Sequence, residues 1–326
     1  MGPVILDAAA GVLQPRSPTR PNEQRTYDER TDGVSVHGMT RSTVSAVIPV
    51  YNAEGFLARA LESVLAQTRA VDEIIVVDDA STDGSPEVAR RFGARVCRLP
   101  TNAGSSAARN EGLRAARGDV IAWLDADDFW EPRHCEVVVG LLEEFPAACL
   151  AFSGIAFRGD RQGEWLSPLP EREPADAFWQ SLGSVIVPQM SVVTRRAPLL
   201  EVGGYDPSLR FAEDYDLFLR LARRYPFVST REVTSNYRWH AAQSAKWGKQ
   251  LQTVFGCRRR LLDQLLAEGD QARGARVERT IVRLWILSLS KALRRRDLRL
   301  FRDVLACRAM IPPIWASLGR GRGLGS

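Results

Sequence analysis

Residues 120–128 read VIAWLDADD, an apolar run that ends abruptly in three clustered carboxylates. Such a run is typical of a strand buried on both faces, as in a parallel sheet. In open α/β sheets ligands bind beyond the carboxyl ends of the strands. Asp125 and Asp127 are therefore predicted to lie where a substrate binds.

The spacing of Asp125 and Asp127 directs both side chains to one side of the chain. Two adjacent carboxylates repel each other unless a cation joins them, and oxygen ligands suit Mg²⁺ or Mn²⁺, which also binds a diphosphate. The simpler alternative is a turn whose aspartates cap a helix beginning near Pro132.

The same unit of strand and helix occurs three times before this point. Apolar strand patterns at residues 44–50, 73–79 and 95–99 are each followed by a helical pattern. This alternation predicts a three-layer α/β/α sandwich with a mostly parallel central sheet and right-handed crossovers.

The phosphate-binding loops of other α/β folds are missing from the sequence. The turn after the first strand reads PVYN at residues 49–52, with no GxGxxG, and no GxxxxGK[ST] occurs. A dinucleotide-binding domain is therefore disfavoured. Phosphates bound here would need a metal, which favours the metal-binding interpretation of Asp125 and Asp127.

Composition indicates a globular protein in a reducing compartment. Hydrophobic residues make up 45% of the 326 residues, and the five cysteines are scattered without a CxxC pair. We expect a cytoplasmic location and a disordered leader over residues 1–41, which are polar and show no periodicity.

Four ordered motifs resemble those of family 2 glycosyltransferases of the GT-A fold. They are PVYN at 49–52, VDDASTDG at 77–84, NxG at 102–104 with ARNxG at 108–112, and LDADD at 124–128. The resemblance covers about residues 43–245. It implies a catalytic domain at 42–245 that inverts the anomeric centre and transfers a sugar from a nucleotide diphosphate, most commonly UDP, to an acceptor hydroxyl.

The resemblance also implies roles for individual residues and for the pathway. The acceptor would be a glycan, a lipid-linked sugar or a small molecule, in surface polysaccharide, glycolipid or cell-envelope glycan synthesis. Asp125 and Asp127 would bind a divalent Mg²⁺ or Mn²⁺ ion and the donor diphosphate. The residues expected to contact the nucleotide are Pro49, Tyr51, Asn52, Asp79, Arg109 and Asp125.

Residues 213–216, EDYD, form an acidic start to a predicted helix. Helix-dipole stabilisation would explain all three acids. Asp214, however, shares a helical face with apolar residues, so its pKa should be raised as suits a general base. Asp216 lies nearer Arg220 and is expected on a more solvated face. The resemblance likewise implies Asp214 as the base, with Glu213 beside it at the substrate.

Three aromatic or imidazole side chains have open roles. His240 resembles a late histidine that completes the metal site in some relatives, although a lone histidine is more often structural. Trp165 and Trp179 could stack on a sugar ring or pack in the core, and core is favoured for Trp179.

Residues 246–326 are predicted to be helical and rich in arginine. They form either a helical appendage packed on the catalytic domain or another subunit, or a basic amphipathic anchor on a membrane surface. The sequence does not decide the oligomeric state. Nucleic-acid binding is disfavoured because no recognised motif accompanies the positive charge.

Two other functions remain open. A nucleotidyltransferase that makes sugar nucleotides would share the layout, but the Gly-rich opening loop followed by Arg and Lys is missing. A catalytically silent nucleotide-sugar-binding module would keep the pocket, but the carboxylates needed for turnover are all present.

Overall fold

The computed structural model describes residues 41–184, 187–239 and 247–311. His240 and the predicted leader, except its last residue, lie outside these ranges. The described strands are β1 Val44–Val50, β2 Glu73–Asp78, β3 Arg95–Arg98, β4 Val120–Trp123, β5 Phe129–Trp130, β6 Leu150–Gly159, β7 Gly163–Trp165, β8 Val192–Arg195 and β9 Phe227–Trp239. The described α-helices are α1 Glu54–Leu65, α2 Ser85–Arg91, α3 Ser105–Ala115, α4 His134–Glu144, α5 Phe178–Gly183, α6 Arg196–Glu201, α7 Glu213–Ala222, α8 Trp247–Ala267, α9 Gln271–Arg294 and α10 Leu298–Ala306.

One mixed sheet organises the described chain, in the order β3-β2-β1-β4-β8-β6-β9-β5, with β7 paired to β6. The first four strands in this order are parallel, and each is joined to the next in sequence by a helix. This confirms the predicted α/β class. Beyond β4 the sheet continues with β8, which is antiparallel to both β4 and β6.

The centre of the sheet is apolar because both faces are covered. Residues 46–48 of β1 and 120–123 of β4 are at most 1% exposed. Pro49 is tolerated in β1 because β4 stops pairing there: Leu124 donates the last hydrogen bond of that ladder, to the Val47 carbonyl at 3.1 Å. The Pro49 nitrogen carries no hydrogen, but no ladder hydrogen bond is lost on that side.

The C-terminal helices pack on the sheet domain through α8 and α9. Phe255 of α8 is fully buried, and Arg258 donates hydrogen bonds to the Leu182 carbonyl at 2.9 Å and the Tyr215 hydroxyl at 3.1 Å. Helix α8 is thereby joined to α5 and α7. In the described part of the chain, no helix combines the length and the apolar character needed to cross a membrane.

Candidate active site

A tight turn at the end of β4 presents the aspartate cluster. Leu124 ends the parallel ladder, and the Asp128 amide then donates to the Asp125 carbonyl at 3.1 Å. Asp125 and Asp127 are half-buried, whereas Asp128 is only 1% exposed. The turn thus places two carboxylates at the open edge of the sheet and a third beneath them.

Asp128 has an incompletely satisfied buried carboxylate. One oxygen accepts the Arg238 amide of β9 at 2.7 Å, and the other has no hydrogen-bond partner among the described residues. Burial, followed by the charges of Asp127 and Asp125, raises the pKa of Asp128 well above its ordinary value. The buried Asp128 carboxyl is therefore protonated more readily than an ordinary aspartate.

Arg109 of α3 joins the strand end to α7. Its guanidinium donates to Asp125 at 2.7 Å and to Glu213 at 2.6 Å, and the residue is 6% exposed. Burial alone would lower the pKa of Arg109, but the two carboxylates raise it above its ordinary value. A planar guanidinium can pair with two carboxylates at once, which a lysine ammonium does less well.

The other residues of the ARNxG motif at 108–112 have structural roles. The Asn110 side chain donates to the Tyr205 carbonyl at 2.7 Å and accepts the Tyr205 amide at 2.8 Å. Gly112 lies against β1, where an added Cβ would meet a methyl carbon of Val47 at 2.3 Å. Together they fix α3, and with it Arg109, on the sheet.

The residues expected at the nucleotide lie around the ends of β1 and β2. Asp79 is buried, and its two oxygens accept the amides of Ala103 and Gly104 at 2.7 and 2.8 Å. Asn52 accepts the Thr82 amide at 2.8 Å, and Tyr51 is 50% exposed. The structure therefore shows Asp79 and Asn52 shaping the loops of this edge. Their nucleotide contacts stay predictions, as do those of Tyr51 and of the half-buried Pro49 at the end of β1.

Helix α7 begins with Glu213 and Asp214 facing the aspartate cluster. Burial opposes ionisation of Glu213, but Arg109 and the Ser105 hydroxyl hold its pKa below the ordinary value. Burial, and then the charge of Glu213, raises the pKa of the half-buried Asp214 to about 7. The expected rise in the pKa of Asp214 is present, so its carboxylate can take up a proton near neutral pH.

The expectation that Asp216 lies on a solvated face is wrong. Asp216 is 9% exposed and is paired with Arg220 at 2.8 Å and with Arg260 of α8 at 3.1 Å. The second arginine is 44 residues away in sequence, so periodicity within α7 gave no sign of it. Asp216 is a structural carboxylate between two helices.

Tyr237 of β9 is a site residue that the sequence argument did not select. Burial raises the pKa of its phenol, and the charges of Asp128, Asp127 and Asp125 raise it further. The hydroxyl therefore stays protonated, as a donor, beside the aspartate cluster. Its ring meets Phe157 edge-on, with centroids 6.0 Å apart. The YRW sequence at 237–239 was the available signal, but the pairing of β9 with β5, the strand directly after Asp128, is what places Tyr237 here.

The two tryptophans considered for sugar stacking are part of the packed structure. Trp165 is 9% exposed and stacks with Phe152, their centroids 6.3 Å apart. Trp179 packs against the core, and the Arg276 guanidinium lies 3.7 Å from a ring centroid of Trp179. Trp179 matches the favoured expectation of a core role.

The carboxylate oxygens of the aspartate cluster suit a divalent cation that prefers oxygen ligands, such as Mg²⁺ or Mn²⁺. Asp125 and Asp127 offer carboxylate oxygens at the edge, and the unsatisfied oxygen of Asp128 lies below them. The described ranges contain no preformed group of three or more such ligands. His240, the expected third ligand, falls outside those ranges.

The mixed sheet and its flanking helices have the GT-A fold. Residues 45–202 match the family model described as glycosyl transferase family 2. Residues 45–202 are therefore a glycosyltransferase family 2 domain.

Curated relatives agree with this membership. An uncharacterized glycosyltransferase of Rickettsia prowazekii is 29% identical over 62% of this chain and 65% of its own length. One from Haemophilus influenzae is 30% identical over 57% of this chain and 64% of its own length. The similarity to these relatives thus spans slightly less than two thirds of each.

Solved structures share the fold. TarS 1–349 of S. aureus, in complex with UDP-GlcNAc, has a TM-score of 0.65 at 17% identity, over 83% of this chain and 82% of that one. The mannosyltransferase PcManGT of Pyrobaculum calidifontis, in complex with GDP-Man and Mn²⁺, has a TM-score of 0.55 at 17% identity, over 83% and 87%.

Proposed function

We propose that this protein is a metal-dependent, inverting glycosyltransferase that moves a sugar from a nucleotide diphosphate to an acceptor hydroxyl. Asp214 is the general base, and Asp125 and Asp127 are the carboxylates that hold the divalent ion, with His240 as a further ligand. We assign a UDP-sugar as donor and synthesis of an envelope or surface glycan as the pathway class. The two solved neighbours are in complex with UDP-GlcNAc and with GDP-Man. The donor screen below therefore includes sugars of both nucleotides.

The bridge made by Arg109 is the observation that carries this proposal. A single buried guanidinium binds Asp125 at the strand end and Glu213 on the helix of Asp214. The carboxylate expected at the donor diphosphate and the proposed base are therefore held in one unit. Such fixed geometry is what in-line displacement needs, because transfer depends on the alignment of two reacting groups.

In the proposed reaction, Asp214 accepts the proton of the acceptor hydroxyl as the oxygen attacks the anomeric carbon. The bond from that carbon to the diphosphate breaks on the opposite side, so the configuration inverts. Glu213 stays ionised through Arg109 and Ser105, and it keeps the pKa of Asp214 high enough to receive the proton. A divalent ion, when bound, supplies positive charge to the departing diphosphate.

The proposal is tested with Asp214→Asn in single-turnover transfer, after a thermal-shift screen of UDP-, dTDP- and GDP-sugars has identified the donor. Asparagine keeps the shape but cannot accept the proton, so transfer should fall about 10²- to 10⁴-fold while donor affinity is retained. Asp263→Asn is the matched control, because Asp263 is an exposed helical carboxylate of α8 outside the site. It should transfer at the wild-type rate.

Other results would identify a different function. Near-normal transfer by Asp214→Asn would remove Asp214 from the role of base. A wild-type protein that binds nucleotide sugars but neither transfers nor hydrolyses them with any acceptor tested would be a binding module. Formation of a sugar nucleotide and pyrophosphate from a sugar phosphate and a nucleoside triphosphate would identify a nucleotidyltransferase.

A further inference from the structure

Helices α9 and α10 form a hairpin whose outer side is apolar and basic. The Trp285 indole of α9 donates to the Val304 carbonyl of α10 at 2.9 Å, which fixes the two helices side by side. Four large apolar side chains of the pair nevertheless face solvent. They are Ile286 at 46% exposure, Leu293 at 63%, Leu298 at 83% and Leu305 at 42%.

Their spacing places these side chains on one stripe of each helix. Ile286 and Leu293 are seven residues apart on α9, and Leu298 and Leu305 are seven apart on α10. Seven residues are close to two helical turns. Leu293 and Leu298, the two most exposed leucines among the described residues, lie on either side of the turn between the helices.

The turn itself carries three consecutive arginines, at positions 294–296. It is closed by hydrogen bonds from the Arg296 amide to the Leu293 carbonyl at 3.0 Å and from the Asp297 amide to the Ala292 carbonyl at 3.0 Å. Arg296 has φ of +52°, a left-handed conformation that glycine adopts more readily. The tip of the hairpin therefore combines exposed leucines with exposed guanidinium groups.

Charge is segregated onto this part of the chain. Residues 271–311 contain eleven basic and three acidic residues, a net charge of +8. Since the whole chain has a formal net charge of +5, the remaining residues carry a net −3. A second copy of the same face would therefore be repelled, whereas an anionic surface would be attracted.

We propose that the hairpin tip, residues 293–298, is a docking surface for an anionic lipid bilayer. Leu293 and Leu298 enter the boundary between headgroups and acyl chains, and Arg294, Arg295 and Arg296 bind lipid phosphates. This combination of apolar insertion and positive charge is the usual basis of interfacial binding by helices. The inference concerns the location of the protein and does not depend on the proposed transfer reaction.

The test is co-flotation of the full chain with vesicles of phosphatidylcholine, with and without phosphatidylglycerol. Wild type should bind the anionic vesicles at low salt, bind neutral vesicles much less, and lose affinity as salt rises. Leu293→Ser with Leu298→Ser should weaken anionic-vesicle binding about tenfold or more. The control pair Leu65→Ser with Leu200→Ser removes leucines that are 58% and 46% exposed elsewhere, and it should bind as wild type.

A second variant tests the contribution of the positive charges while keeping the backbone of the turn unstrained. Arg294→Gln with Arg295→Gln and Arg296→Gly removes three charges, and glycine suits the positive φ at 296. It should lose about tenfold or more in affinity for anionic vesicles. The matched control replaces Arg90, Arg114 and Arg133, exposed arginines on other elements, with glutamine. This triple variant should retain wild-type binding.

Three results would overturn the proposal. The first is a wild-type protein that does not float with anionic vesicles at low salt. The second is a leucine pair variant with wild-type affinity and binding that soluble polyphosphate or RNA abolishes, which indicates a general polyanion site. The third is a leucine pair variant that changes only the mass seen by light scattering, which indicates contact between two copies.

Discussion

Asp214 combines a raised pKa with a position among several charged groups. Burial and the charge of Glu213 raise its pKa to about 7, Arg109 opposes that rise, and Asp125 adds to it. A base must be ionised to accept a proton, so the active fraction of Asp214 increases as pH rises through its pKa. The transfer rate is thus expected to climb from acidic pH and level off above about pH 7.

Arg109 gives a way to move this pH dependence. Replacing it with Met removes the positive charge that lowers the pKa of Asp214, so the rise in transfer rate should shift to higher pH. Arg109→Lys keeps the charge but not the two-sided fork, and its shift should be smaller. Single-turnover transfer measured from pH 5 to 9 compares the three proteins. A profile unchanged in Arg109→Met would show that another group titrates.

At the scale of elements, α8 is an integral support of α7, the helix that carries the proposed base Asp214. Arg258 is 5% exposed and donates to the carbonyls of Leu182 and Gly183 as well as to the hydroxyl of Tyr215. Its guanidinium also lies 5.1 Å from the ring centroid of Phe255. One side chain of α8 therefore ties the end of α5 to α7 at Tyr215, the residue directly after Asp214. The Tyr215 amide in turn donates to the Asp214 carboxylate at 2.7 Å.

Replacing Arg258 should destabilise the whole domain. Arg258→Met keeps much of the side-chain volume but loses the hydrogen bonds to buried acceptors, and we expect a loss of about 2–3 kcal/mol in the free energy of unfolding. Arg259→Met is the control: its neighbouring side chain is more exposed and paired to Asp263 one turn away. That change should cost less than about 1 kcal/mol. Equal midpoints in urea denaturation for both variants would contradict a supporting role for Arg258.

The part of the fold that sequence predicts is the parallel half of the sheet. β1, β2 and β4 are local apolar runs, and helices join the four parallel strands in sequence order, so composition and period suffice. The other half depends on pairings between distant segments, such as β6 with β9, whose register includes irregular shifts. No local sequence pattern specifies which of these strands pair. For the same reason, the antiparallel pairing of β8 with β4 was not predicted.

The candidate site likewise has residues that the sequence predicted and contacts that it did not. The carboxylates of 125–128 and 213–214 were found because each ends or begins an apolar element. The contact between Arg109 and Glu213 joins residues 104 positions apart, and the role of Tyr237 requires β9 to be placed beside the aspartate turn. Asp216 was misjudged because the face of α7 that seemed solvated is covered by Arg260 of α8.

At the scale of the whole molecule, acidic and basic charge lie in different places. The site gathers Asp125, Asp127, Asp128, Glu213 and Asp214 near one another, and the C-terminal hairpin has an excess of basic over acidic residues. Folding thus concentrates negative charge that the unfolded chain keeps apart. Because the folded pKa of Asp214 is raised, its contribution to stability is present below the unfolded pKa, near 4, and is lost as pH rises through about 7.

A divalent ion should reverse this loss, and thermal unfolding can measure the effect without any substrate. Asp214, with its pKa of about 7, is ionised more fully at pH 8 than at pH 5 and adds negative charge near the proposed ligands. Mn²⁺ or Mg²⁺ should therefore raise the unfolding temperature more at pH 8. At a hundredfold excess over Kd, the gain is about 3 kcal/mol, which corresponds to a rise of several degrees. Asp127→Asn should lose most of this gain, whereas Asp263→Asn, exposed and remote from the cluster, should keep it. If both variants respond to the ion equally, or if the same rise appears with NaCl at matched ionic strength, then Asp127 is not a ligand and the metal assignment at 125–127 is wrong.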